Sequence, residues 1–120
     1  MSLTISTKSY TLDRVDPDSV RYAGPANTLS SKDTLELKRV YPKPTAVFAG
    51  VARPTIKFVR TVEVDAVSGA VADAILQISG SLPVGITEAD IDSLVADMVS
   101  MLGLETAETT HVCDSLDINY

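Results

Sequence analysis

The apolar residues of this chain change their period once, near Thr87, and that change limits the fold more than any other feature of the sequence. Before it, residues recur every second position. In Thr55–Val64, Ile56, Phe58, Val62 and Val64 fall on one side, and Lys57, Val59, Thr61 and Glu63 on the other, the signature of a half-buried strand. Arg60 interrupts the apolar side and is expected to snorkel to its rim. After Thr87, the residues Ile91, Leu94, Val95, Met98, Met101 and Leu102 recur at helical spacing. Thr87 suits an N-cap, Glu88 and Asp90 suit the first turn, and Gly103 suits the position just past the end. This predicts a helix of about sixteen residues, roughly 24 Å long.

Other strands are read around these two segments. Thr4–Leu12 is rich in β-branched residues, and Ser19–Tyr22 reads as its return across the Asp16-Pro17-Asp18 turn. Thr34–Tyr41 runs up to Pro42 and Pro44, residues 43–53 read as a connection, and Ala72–Ser79 follows a turn at Ser68-Gly69. A short second helix is expected around Val112 and Leu116. Strands first and helices last describe an α+β chain with an antiparallel sheet, here of five strands. At 120 residues it has the length of one domain, residues 1–120. Five strands span about 24 Å and one helix covers only about 10–12 Å, so apolar sheet surface is left for a second copy of the chain.

Charge is divided as sharply as period. All ten basic residues lie in positions 1–60 with five acids, giving +5, while positions 61–120 carry eleven acids and no base, giving −11. The net charge of −6 hides this polarity. One electropositive and one electronegative surface point to a polyanion on one side. On the polar parity of the strands, Thr34, Lys38, Lys57, Thr61, Gln77 and Ser79 share a face that suits RNA, with ammonium groups for phosphates and hydroxyls or amides for base edges. Glu36, Glu63 and Asp73 share that face and dilute its charge.

Catalysis finds little support. His111 is the only histidine, and with Cys113 it supplies two donors where zinc needs four, or three and water. The pair reads as a surface histidine beside a small buried thiol. Glu88, Asp92 and Asp97 read as a solvated helix face rather than an acid–base or Mg²⁺ set. No phosphate-binding glycine loop is present, no cofactor is implied, and no apolar run reaches the roughly 18 residues of a membrane span.

The order of elements resembles the coat protein of single-stranded RNA bacteriophages. The matching segments are Leu35–Val40, Lys57–Val64 and Asp114–Tyr120, with a chain end on Tyr120. The resemblance implies an intertwined homodimer with a continuous sheet, each chain's helices lying across the partner's sheet. Ile91, Leu94, Val95, Met98 and Leu102 would then form the dimer interface. It further implies an icosahedral T=3 shell around genomic RNA, a virion component assembled in the bacterial host cytoplasm, with the sheet inward and the helices outward. Lys57, Thr61 and Glu63 match the RNA-facing parity, and Thr34, Lys38, Gln77 and Ser79 extend it. In some members a bound hairpin represses translation. Val59 and Ile75 depart from the more polar residues common there, and the Asp65–Val71 turn is short. The other reading is a dimeric RNA-binding regulator that forms no shell.

Overall fold

In the computed structural model, which describes residues 2–5, 7–47, 50–107, 109 and 112–116, the period-2 segments form strands and the period-3.6 segment forms a helix. The strands are β1 (Ser2–Ile5), β2 (Lys8–Asp16), β3 (Ser19–Ala23), β4 (Asp33–Val40), β5 (Val51–Asp65), β6 (Ala70–Ser79) and β7 (Leu82–Pro83). The helices are α1 (Glu88–Thr106) and α2 (Val112–Ser115). Six strands are ordered β1-β2-β3-β4-β5-β6, every neighbour antiparallel, and β7 pairs the start of β5. The chain divides into two compact units, a sheet unit of residues 1–84 and a helical unit of residues 85–120.

Several boundaries differ from expectation. The sheet has seven strands rather than five. The N-terminal segment is not one strand: it reverses between Ile5 and Lys8, which pair across the ladder, and Thr7 takes a left-handed φ of 68° to do so. Nothing in a Ser-Thr pair announces such a turn, since glycine and asparagine are its usual occupants. β5 begins at Val51, inside the expected connection, because Leu82 and Pro83 supply it with a second partner beyond the end of β6. Gly50 precedes it at a φ of 93°, with Lys43 N only 2.9 Å from where a Cβ would sit, so this bend admits glycine alone.

In the sheet unit the core lies on the apolar parity. Tyr10, Tyr22 and Leu35 are buried, with Ile5, Val20, Leu37 and Phe58 packed around them. Three ladders separate β2 from β5, about 14 Å in a flat sheet. Yet the Tyr10 and Phe58 rings meet edge to face with centroids 6.4 Å apart. The N-terminal hairpin therefore curls over the sheet and covers part of its apolar face. Asp33, 2% exposed, sits at the edge of this core. Its carboxylate accepts from Ala26 N (3.3 Å) and lies 3.8 Å from Arg60 Nε, which explains the interruption in the β5 apolar row. Gly24 makes room for it: a Cβ there would approach Asp33 Cγ to 2.6 Å and Tyr10 Cε1 to 2.9 Å.

In the helical unit, the Thr87 hydroxyl accepts from Asp90 N at 3.2 Å, as the N-cap reading requires. The helix runs past Gly103 and ends at Thr106, with Ala107 as its cap. Gly103 keeps helical backbone, and Thr106 and Ala107 both donate to its carbonyl at 3.0 Å. The amide of Val112, at the start of α2, donates to Glu105 Oε1 at 2.8 Å. Cys113 is an exposed free thiol rather than a buried one, and His111 lies outside the described residues, as do residues 117–120 of the C-terminal match.

Candidate nucleic-acid interface

Antiparallel register decides which side chains share a face, and here it gathers the polar parity of four strands. Arg21, Glu36, Lys57 and Gln77 stand opposite one another across β3, β4, β5 and β6. Ser19, Lys38, Thr55 and Ser79 form the row on one side. Ala23, Thr34, Val59 and Ile75 form the row on the other. Beyond these, Thr61 stands opposite Asp73 and Glu63 opposite Val71. Thr34, Lys38, Lys57, Thr61, Glu63, Gln77 and Ser79 thus all lie on one face, as the sequence pattern predicts.

Charge along this face is graded. The end nearest Ser79 carries Lys38, Lys57 and Arg21, whereas the end nearest the β5–β6 turn carries Glu63, Asp65 and Asp73. Some expected side chains are engaged within the sheet. Lys38 Nζ lies 3.1 Å from Glu36 Oε1. The Thr61 hydroxyl donates to Asp73 Oδ1 at 2.9 Å and accepts from Lys32 N at 2.8 Å, while Lys32 Nζ reaches Asp73 Oδ2 at 3.1 Å. This network ties the end of the β3–β4 loop to two strands. The Thr61 hydroxyl and then the Lys32 ammonium hold the Asp73 carboxyl below its ordinary value of 3.8. Asp65 is lowered too, by the Ser68 hydroxyl and by the Val67 and Ser68 amides in the β5–β6 turn. Lys57 enters no ion pair among the described residues and stands between Glu36 and Gln77 across the ladder.

Arg21 and Lys32 belong to this face without having been expected there. Arg21 was legible: it takes the position opposite in parity to Tyr22 within a strand following a clear turn. Lys32 was not, because its place depends on how the residue 24–32 loop returns to the sheet.

The apolar parity is only partly covered. Beyond the hairpin, Ile56, Val62, Leu76 and Ile78 are exposed, and Phe58, Val62, Leu76, Ala74, Asp33 and Arg60 line a shallow depression of 450 Å³. In the helical unit no α1 residue is buried. Leu94, Val95 and Met98 are exposed, and Ile91 and Leu102 only partly covered. Among the described residues no group of three or more His, Cys, Asp or Glu side chains could hold a metal ion, and no helix is long and apolar enough to cross a membrane.

No family model and no curated protein matches the chain. Solved structures do. The virus-like particle of Beihai levi-like virus 32 superposes with a TM-score of 0.83 at 19% identity, over 96% of this chain and 91% of that one. That of Wenzhou levi-like virus 4 gives 0.76 at 24% identity, over 96% and 78%. That of bacteriophage AVE019 gives 0.74 at 18% identity, over 100% and 96%. An antiparallel sheet followed by C-terminal helices is thus the fold this chain shares with the subunits of these virus-like particles, as the sequence resemblance implies.

Proposed function

We propose that this chain is the coat subunit of a single-stranded RNA bacteriophage, with residues 1–120 acting as one coat domain. Two copies pair edge to edge through β6, and α1 of each covers the apolar sheet face of the other. Dimers then close into an icosahedral shell of T=3 type, assembled in the host cytoplasm around the genome.

One observation carries this reading: a chain with the coat fold leaves both an apolar sheet face and an apolar helix row exposed. Three buried apolar residues among the described residues are few for a domain of this size, which buries roughly two-thirds of its unfolded surface. β6 fits the pairing edge. Every one of its ten residues is exposed, and among the described residues it is hydrogen-bonded to β5 alone. An exposed edge of this length invites another strand. Ile91, Leu94, Val95, Met98 and Leu102 are the interface side chains of α1, filling the depression beside Phe58 and Leu76 on the partner.

The polar face then turns toward RNA. Lys57 and Lys38 meet phosphates, and Thr34, Gln77 and Ser79 offer hydroxyl and amide groups to bases or 2′-hydroxyls. Thr61 and Glu63 line the acidic end of the same face. A genomic hairpin held there would also repress translation.

Electron microscopy of the purified full-length protein, expressed with cellular RNA present, tests the proposal. Uniform closed shells containing RNA are expected. Dimers alone, across a range of salt and added RNA, would overturn shell formation, and dimers that still retain RNA would identify a regulator instead.

A further inference from the structure

Glu36 is anomalous on the polar face. It is an acid in the middle of the cationic end, opposite Arg21 on one side and Lys57 on the other, with Lys38 two residues along on the same parity. Directly opposed residues in an antiparallel pair hold their Cβ atoms about 4.5–5.5 Å apart, so the carboxylate lies within reach of all three cations. Its oxygen Oε1 is 3.1 Å from Lys38 Nζ, and its side chain is only 12% exposed while that of Lys38 is 52% exposed. A carboxylate paired with Lys38 and flanked across the ladder by Arg21 and Lys57 occupies the place where an RNA phosphate would bind.

We infer that Glu36 is an internal competitor for the phosphate site of this face, limiting how tightly the protein holds RNA irrespective of sequence. The inference rests on the reading that the face binds RNA, and adds to it a determinant of affinity. In the empty protein the Glu36 carboxylate neutralises part of the Arg21–Lys38–Lys57 cluster. An arriving phosphate must displace it from Lys38, so the face gains less from each phosphate than three free cations would give. Such a subunit favours RNA that offers further contacts to Thr34, Gln77 or Ser79 over RNA that offers phosphates alone.

The test is fluorescence anisotropy of a labelled oligouridine bound to the full-length protein over a salt series. Glu36→Gln removes the charge at nearly constant shape. It is expected to tighten binding several-fold and to steepen the dependence of log affinity on log salt by about 0.7, the value for one more neutralised phosphate on a single strand. Glu36→Asp retains the charge and keeps the wild-type slope. Asp97→Asn, on α1 rather than on the sheet, makes the same change in net charge and also keeps that slope. Equal slopes for wild type and Glu36→Gln, or an equal steepening in Asp97→Asn, would overturn the competitor role. No binding by wild type and Glu36→Gln alike, with Lys57→Ala indistinguishable from both, would instead overturn the RNA reading of the face.

Discussion

Asp73 shows how one carboxylate can serve as a fastener. It accepts from the Thr61 hydroxyl and the Lys32 ammonium and so joins β6, β5 and the β3–β4 loop. Both partners favour the ionised form, and its folded-state pKa is lowered. A lowered folded value means that the stabilisation is fully present above the ordinary value of 3.8 and is lost as pH falls through the lowered one. Amide exchange at Lys32 and Thr61 is therefore expected to accelerate in wild type below that ordinary value. In Asp73→Asn it should be faster near neutrality and lack the acid-dependent rise. An identical acid profile in the two proteins, followed by NMR, would show that the carboxylate does not fasten the loop. The same three side chains alter the expected site: Thr61 has the right parity for RNA, but its hydroxyl already donates and accepts within the sheet.

Among the elements, the N-terminal hairpin carries visible backbone strain. Thr7 is β-branched and sits at a φ of 68°, a region that disfavours any side chain and β-branched ones most. Thr7→Gly is expected to stabilise the protein by about 0.5–1 kcal/mol, relief of strain outweighing the entropy glycine adds to the unfolded chain. Differential scanning calorimetry measures it, and a lowered midpoint would refute the account. Local sequence pattern does not mark this turn. The parity of β4, β5 and β6 was legible because apolar and polar residues alternate there, and α1 was legible from its spacing and its Thr87 cap. The turn at Thr7 lacks the residues that mark such turns. The early start of β5 depends on pairing with Leu82 and Pro83, about thirty residues away in sequence, which no local pattern reveals. Gly103 misled because glycine is tolerated inside a helix that tertiary or local contacts continue.

For the whole molecule, the proposed pairing of two copies would make the apolar row of α1 the part most sensitive to charge. Leu94→Asp places a carboxylate where an apolar surface is to be covered, a penalty of about 2–7 kcal/mol if it is desolvated without a partner. Sedimentation velocity should find this variant monomeric or aggregated at concentrations where the wild type is dimeric. A soluble dimer of unchanged affinity would refute the packing. The face assignment itself follows from parity, whereas in the sequence Glu36 reads only as a charge that dilutes the face. Its place beside Lys38 and opposite Arg21 and Lys57 requires the register of three strands.

Under the proposed pairing, the bare apolar surfaces of sheet and helix would also make the folded population answer to abundance. A protomer that hides its oily side only against a twin gains stability by mass action, so its melting midpoint climbs as it is concentrated. Early in an infection, when copies are scarce, newly made chains would be exposed to proteases; once synthesis outruns degradation, survival and particle building would rise together. For the proposed coat subunit, dosage would thereby be the clock that starts packaging.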